Sequence, residues 1–481
     1  MQDLWENGIL VRILALMVII ALLGLSPQSH LVTRELVQAS RAQAPEVAAR
    51  SLAMVAEHLP WRQGIWEQAG HYALEGEDAE NAILHFKKAA ATGDLSLEGY
   101  LEFGDAYVEV GNPFTAAQIW KAANQIFGVR RDSLTRLADL QRDLGQYPDL
   151  IATLKALMEF QASDPDPLST SIKLNYELGL LLAAQNPPAA PPYLLQAAEL
   201  DPSLRDASQL AFTIQRALPN ENPVYTAMAA SRKLAALNRW ALALYALQGV
   251  VDGLPDYAEA WAYLGEALQH QAEPATTEAY VALEKALLLD PQSLPANIFM
   301  ALYWQRAGDP ERAYQYLSMA AKIDPDNPDI LVDLGAAAAV LGDLESAATN
   351  YREAIELTSR SPVYLRKMVE FCLRTNFNLR DTALPLAREA LDRDATNPAS
   401  LDVMGQVFLR LGDLFSAERF LVRALQQDPD YAPTHLHLGV LYSLQDKPDL
   451  AIQAFTKAVS LAPGSPTADQ ATRLLNQPTN P

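Results

Sequence analysis

Residues Ala432–Ser465 read APTHLHLGVLYSLQDKPDLAIQAFTKAVSLAPGS, and the 34 residues before them, Pro398–Tyr431, read PASLDVMGQVFLRLGDLFSAERFLVRALQQDPDY. Laid one over the other, they place small or apolar residues at the same offsets: Gly405 over Gly439, Phe408 over Tyr442, Ala417 over Ala451, Ala424 over Ala458, Pro429 over Pro463. A fixed period of this length marks a stacked array, whose units cannot bury their apolar faces alone. The pattern runs upstream through Pro328–Ser361, Leu294–Asn327 and Ala258–Ser293. Val224–Tyr257 is a weaker copy, and Pro362–Asn397 carries about two extra residues near Asn376–Asn378. The N-terminal half repeats too, at Gln63–Ser96, Leu97–Arg130, Arg131–Asp164 and Ile172–Pro202.

Each unit reads as two antiparallel helices. In Pro328–Ser361 the first helix carries Leu331, Leu334, Gly335 and Ala338, at the i, i+3, i+4, i+7 spacing of one helical face. Gly342-Asp343 then breaks it, because Gly accepts a left-handed C′ position and Asp caps the helix that follows. The second helix sets Ala347, Tyr351 and Ala354 on one face. Asp-Pro closes the unit at Asp290-Pro291, Asp324-Pro325 and Asp428-Pro429, since proline stops a helix and presets the next turn. Trp66, Trp120, Trp261, Tyr107, Tyr351 and Tyr442 fall at framework offsets and read as packing residues.

These offsets resemble the tetratricopeptide repeat over about 400 of the 481 residues. The resemblance implies an all-α solenoid, a right-handed superhelix of helical hairpins with the first helices lining a concave groove. It also implies a protein-interaction scaffold. The expected organisation is a tail (1–8), a membrane helix (9–25), a juxtamembrane segment with a capping helix at Pro45–Leu59 (26–62), and three repeats (63–164). There follow an irregular repeat with a Pro-rich joint and a single helix (165–223), seven repeats (224–465), and a capping helix with a tail (466–481). Asn186–Pro192 and Pro219–Pro223 read as loops within the joint.

The membrane helix is Ile9–Leu25, ILVRILALMVIIALLGL, with Arg12 its one charge. As a helix it is about 26 Å long, close to a ~30 Å hydrocarbon core. Arg12 can snorkel to the interface and Trp5 stands where an interfacial aromatic belongs. Pro27 and Pro45 follow the two candidate cleavage sites and disfavour processing, so the segment reads as an uncleaved anchor, with a cleaved signal as the alternative. Flanking Arg34 and Arg41 argue for a cytoplasmic C-terminal side, whereas a lone N-terminal apolar segment before a large domain acts as an export signal. The expectation adopted is a single-pass bacterial membrane protein with the array extracytoplasmic.

The chain holds 58 acidic against 37 basic residues, a net charge of −21, and no run of basic residues. That argues against a nucleic-acid partner. A single cysteine, Cys372, excludes an intramolecular disulfide and any multi-Cys metal site. It falls on an apolar helix face and reads as structural. His435 and His437, two apart on a helix, point to different faces and cannot share a metal. Phosphate-loop, nucleophile-elbow and HExxH motifs are missing from the sequence, so no catalysis, cofactor or metal is expected.

Specificity is expected in the groove, which the resemblance feeds from offsets 2, 5, 9, 12 and 13 of each repeat. In the first three repeats these include Glu67, Asp105, Glu109, Asp139 and Asp143, opposed by His71 and Arg142. Later repeats supply Arg306, Arg366 and Arg410, mixed with Glu370, Arg374, Gln406, Val332 and Val440. The expected partner is a protein or peptide, with a basic segment at the acidic end. The expected role is a membrane-anchored scaffold. The alternative is an assembly factor for envelope or polysaccharide export, though not the type ending in a Cys-rich metal module.

Overall fold

The computed structural model describes residues 16–19, 27–160, 166–220, 222–271 and 275–476. The membrane helix expected at 9–25 therefore lies outside the described residues, apart from 16–19. Those four form a helical turn whose Leu16, Met17, Val18 and Ile19 are exposed. Among the described residues no helix is long and apolar enough to cross a membrane.

The chain forms two compact units, Met1–Glu221 and Asn222–Pro481, with no strand among the described residues. The first unit opens with the hairpin α1 (Pro27–Arg41) and α2 (Pro45–His58). Three regular hairpins follow: α3 (Ile65–Glu75) with α4 (Ala79–Thr92), α5 (Leu97–Glu109) with α6 (Pro113–Phe127), and α7 (Arg131–Asp143) with α8 (Tyr147–Met158). The hairpin α9 (Pro167–Gln185) and α10 (Pro191–Leu200) comes next, and α11 (Arg205–Ala217) packs on it.

The second unit stacks seven hairpins. They are α12 (Pro223–Ala236) with α13 (Trp240–Gly253), α14 (Ala258–Gln269) with α15 (Thr277–Leu289), and α16 (Leu294–Arg306) with α17 (Pro310–Ile323). Next come α18 (Pro328–Val340) with α19 (Leu344–Leu357), and α20 (Pro362–Thr375) with α21 (Leu384–Arg393). Last are α22 (Pro398–Leu411) with α23 (Leu414–Gln427) and α24 (Ala432–Leu444) with α25 (Pro448–Leu461). The lone helix α26 (Pro466–Leu475) covers the open end of α24 and α25.

One contact recurs within the hairpins. A glycine on the first helix lies against a large side chain sixteen positions later, on the second: Gly70 and Phe86, Gly104 and Trp120, Gly335 and Tyr351, Gly405 and Leu421, Gly439 and Phe455. The helices are so close that a Cβ built on Gly439 would lie 2.4 Å from the Phe455 ring, and one on Gly104 would lie 2.0 Å from Trp120 Nε1. That closeness also lets Trp120 Nε1 donate to the Leu101 carbonyl at 3.0 Å in the interior. Where the second residue is leucine, alanine can replace the glycine, as with Ala301 and Leu317 in one core cluster. In the α20–α21 hairpin the sizes are reversed, with Val369 and Ala387 both fully buried.

Turn chemistry fixes the hairpin loops. Gly308, Gly342 and Gly412 adopt left-handed φ angles of 78°, 84° and 81°. Asp309, Asp343 and Asp413 then accept hydrogen bonds from the amides of Arg312, Ser346 and Ser416, capping the second helices. The two extra residues near Asn376–Asn378 are absorbed by left-handed Asn376 and Asn378 and by a π-helical turn at Leu379–Ala383.

Two expectations are corrected. The helix at Pro45 is not the outer cap, because α1 packs against it with Val32 and Glu35 buried. Alternation of apolar and charged residues along α1 hid its buried face. The stretch Asn186–Pro192 is not a loop. Pro187–Ala189 is a 3-10 turn leading into α10, and Pro187, Ala190 and Pro191 are buried. Prolines at the first positions of a helix forgo only amides that have no intrahelical partner. The single helix expected at Ser203–Leu218 is α11, which buries Ala207, Leu210, Ala211 and Ile214.

Gly439→Ala is expected to destabilise the last hairpin by about 1–3 kcal/mol, the usual cost of forcing an extra carbon into a packed core. Amide hydrogen exchange in α24 and α25 should read this. The double variant Gly439→Ala/Phe455→Leu should recover most of the loss, because it rebuilds the pair already present at Ala301 and Leu317.

Candidate functional site

Sixth positions of the first helices, absent from the sequence-level groove, set the electrostatics of the inner face. Each reaches back to the preceding repeat. Glu102 binds His71 Nδ1 at 2.7 Å, Arg136 holds both Asp105 oxygens at 2.9 and 3.0 Å, and Glu177 takes Arg142 at 2.6 and 3.0 Å. In the second unit Lys367 binds Asp329 at 3.1 Å and His437 Nδ1 meets Asp402 at 2.9 Å. The periodicity made this position findable. On a helix, offset 6 flanks offset 9, so it faces the neighbouring repeat.

Of the five acids expected in the first unit, two are ion-paired, one is hydrogen-bonded to a serine and two stand exposed. Glu67 accepts hydrogen bonds from the Ser96 amide at 2.8 Å and from its hydroxyl, tying one repeat to the next. Asp105 is held by Arg136, and Asp139 by Arg142 at 2.6 Å. Glu109 and Asp143 are exposed at the ends of their helices, with no ion pair among the described residues.

In the second unit, α18, α20, α22, α24 and α26 line a groove of about 910 Å³. Its floor includes Val332, Ala336, Leu373, Val403, Leu436 and Val440. Charged and polar groups rise from it: Asp333, Glu370, Arg374, Gln406, Arg410 and His437. Asp402, only 2% exposed, is satisfied by Thr434 Oγ1, His437 Nδ1 and Gln406 Nε2, each at 2.9 Å. Burial pushes the Tyr431 hydroxyl beside this cluster up to about 12. Asp333 and Glu370 reach solvent, yet the surrounding walls displace enough water to hold both carboxyls above their ordinary range. For Glu370 the arginines at 374 and 366 oppose that shift without cancelling it.

The three arginines named from sequence do not form one cluster. Arg410 lines the groove and donates to the Leu373 carbonyl at 2.6 Å. Arg366, on the neighbouring α20, donates to Ser400 Oγ at 2.9 Å. Arg306 lies on α16, where it holds both oxygens of buried Glu266 at 2.9 Å. Glu266 also meets His270 Nε2 at 3.0 Å, and the His270 ring stacks on Trp240 at 3.7 Å. This cluster joins three repeats, and Glu266 escaped the sequence reading because a lone acid on an apolar helix looks like solvated surface. His435 meets the Pro429 carbonyl while His437 faces Asp402, so the two histidines diverge. Cys372 is fully buried, and burial pushes its thiol up to about 12.

Sequence profiles of the tetratricopeptide repeat match residues 305–362 and 432–465, within the unit that carries this groove. With the hairpin geometry described above, these stretches of the second unit are tetratricopeptide repeats. The fold of the chain is similar to that of yeast Tom70, at 16% identity over 85% of this chain and 94% of that one, TM-score 0.43. It is also similar to a tetratricopeptide repeat protein from Parabacteroides merdae, at 14% identity over 52% and 98%, TM-score 0.44. Pseudomonas aeruginosa pilF is similar at 21% identity over 46% and 99%, TM-score 0.33. No curated protein sequence matches the chain.

A carboxyl whose pKa is raised on folding favours the folded state below its unfolded value of about 4 and loses that benefit as pH rises through the folded value. Glu370 and Asp333 therefore weaken the unit at neutral pH. Glu370→Gln should raise the thermal stability of the second unit at pH 7 and leave it unchanged near pH 4. Solvent screening keeps the gain below about 1 kcal/mol. Thermal melts followed by circular dichroism at the two pH values test this.

Proposed function

We propose that this chain is a membrane-anchored scaffold that binds an extended segment of another protein in the groove of its second unit. The observation that carries the reading is the groove itself. Successive first helices each present two or more side chains to one open channel, and its size falls in the ~300–1,000 Å³ range of ligand sites. Asp333 and Glu370 open into that channel, where the surrounding walls hold both carboxyls above their ordinary range. The reading assigns the array a recognition role with no chemistry of its own.

The anchor in this proposal is Ile9–Leu25, and the array stands on the extracytoplasmic side of a bacterial cell membrane. Support comes from the apolar composition of that segment, broken by the single charge of Arg12, and from the exposed apolar turn at Leu16–Ile19.

A photo-reactive amino acid at Gln406, inside the groove, should yield discrete protein crosslinks in native membranes. The same probe at Ile452, exposed on α25, should not. Equal labelling from both positions would count against the groove. The full chain should stay with membranes through an alkaline carbonate wash, and deletion of residues 1–25 should release it.

A further inference from the structure

The first hairpin differs in charge from the chain as a whole. Residues 27–62 hold four arginines against three glutamates, in a protein whose net charge is −21. Those glutamates are occupied or distant. Glu35 is buried, Glu57 binds Lys88 at 3.3 Å, and Glu46 stands at the far end, in the first turn of α2. Arg34, Arg41 and Arg62 are exposed, and none forms an ion pair among the described residues.

Topology decides which of these groups share an end. α1 and α2 run antiparallel, so Leu59, just past α2, packs in one cluster with Val32 and Leu36 from the first half of α1. Trp61 follows two residues later, at most about 7 Å along the chain. It is 75% exposed and takes no part in that cluster. Leu31, early in α1, is exposed as well. One end of the hairpin thus turns Trp61, Leu31, Arg62 and Arg34 to solvent. The apolar segment Ile9–Leu25 enters at the same end. It stops two residues before Pro27, where α1 begins, so chain length alone keeps Leu25 within about 7 Å of that helix.

We propose that this end of the first hairpin is a membrane-contact surface, with Trp61 seated among the headgroups of an anionic bilayer and Arg34 and Arg62 on lipid phosphates. This rests on the reading that Ile9–Leu25 anchors the chain. Tryptophan suits the site because its ring is apolar and its N–H is wet, the two demands of a membrane interface. The guanidinium fork matches phosphate oxygens. With the carboxylates of the hairpin buried, paired or at the far end, little there repels an anionic surface. A single anchoring segment holds a domain near the bilayer without fixing its tilt, and this second contact fixes the tilt of the first hairpin.

The test puts one fluorophore on the full chain. Cys372 is fully buried, so a label on Gln63→Cys, two residues past Trp61, reports one exposed site. The chain is reconstituted into vesicles of phosphatidylcholine and phosphatidylglycerol carrying a nitroxide on the headgroup. The label at Gln63→Cys should be quenched, and one at Ile452→Cys on α25 should not. Arg34→Gln/Arg62→Gln should lower the ratio of docked to free label about tenfold or more, the scale of two basic residues at an anionic surface. High salt should do the same, and in phosphatidylcholine alone the double variant should have no effect. Trp61→Ser should reduce quenching in both lipid mixtures. All of these side chains are exposed, and matching circular-dichroism melts confirm that the variants fold. Quenching that survives both variants reports the nearness of the anchor alone and overturns the contact surface. So does an unquenched label on chains that float with the vesicles, and in both cases the anchor stands. Chains that fail to float overturn the anchor and the surface with it. A photo-reactive residue in place of Trp61 that crosslinks to protein and not to lipid in native membranes overturns the lipid assignment.

Discussion

The close approach of two helices within each hairpin is the constraint on which the rest depends. A glycine at the eighth position and a bulky residue sixteen later set how near the helices come, as at Gly104 and Trp120 or Gly439 and Phe455. Interior packing is as dense as an organic crystal, so the pair behaves as a lock and key and not as two independent apolar residues. Repeats depart from the pattern by trading volume across the contact, with Ala301 and Leu317 at one extreme and Val369 and Ala387 at the other. One member of the pair stays small wherever the other is large, and that keeps the two helices of each hairpin close.

The fold was legible in the sequence because the constraint is local. Both members of each glycine pair lie within one 34-residue unit, so self-comparison reveals them without knowledge of which repeats touch. Turn signals such as Gly342-Asp343 are local as well, and they sit where the geometry needs a left-handed residue followed by a cap. What was less legible lies between repeats. Arg136 closes on Asp105 and Glu177 on Arg142 from one repeat away, so the pairing at offset 6 shows only when neighbouring units are laid side by side. The acidic face expected of the first unit was an inventory of charges without their partners. Likewise α1 carries too mixed a sequence for its buried stripe to be seen, and the prolines around Ala190 resemble a linker until their positions at helix starts are known.

Offset 6 gives the array an electrostatic seam running beside the packing seam. These pairs are partly exposed, so each one adds little stability, on the order of 0–1 kcal/mol. Their value is in register: each ties offset 6 to a group of opposite sign on the preceding repeat, as Arg136 to Asp105, which disfavours a stack displaced by one helical turn. The Glu266 cluster extends this across three repeats, since Arg306 reaches it from the following hairpin and His270 ties it to Trp240 of the preceding one. Removing one partner there would leave a buried charge unmatched, which is costlier than breaking a surface pair.

The seam also shows where recognition can be written. An array that satisfied every inner-face charge internally would offer a partner only shape. In the first unit Asp105, Asp139 and Glu67 are engaged internally, while Glu109 and Asp143 are exposed. In the second unit the seam continues through Lys367 and His437, but Asp333, Glu370, Arg374 and Arg410 are left outside it. These groups share the channel with an apolar floor that includes Val332, Leu373 and Val440; Arg410 is bonded to the Leu373 carbonyl, and Arg374 stands one helical turn from Glu370. Fixed charges in such a place discriminate strongly, because a mismatched partner must bury an unpaired group while a matched one need not. Close packing within each hairpin, and ion pairs that tie one repeat to the next, together leave the groove of the second unit as the stretch where apolar floor and charged side chains meet.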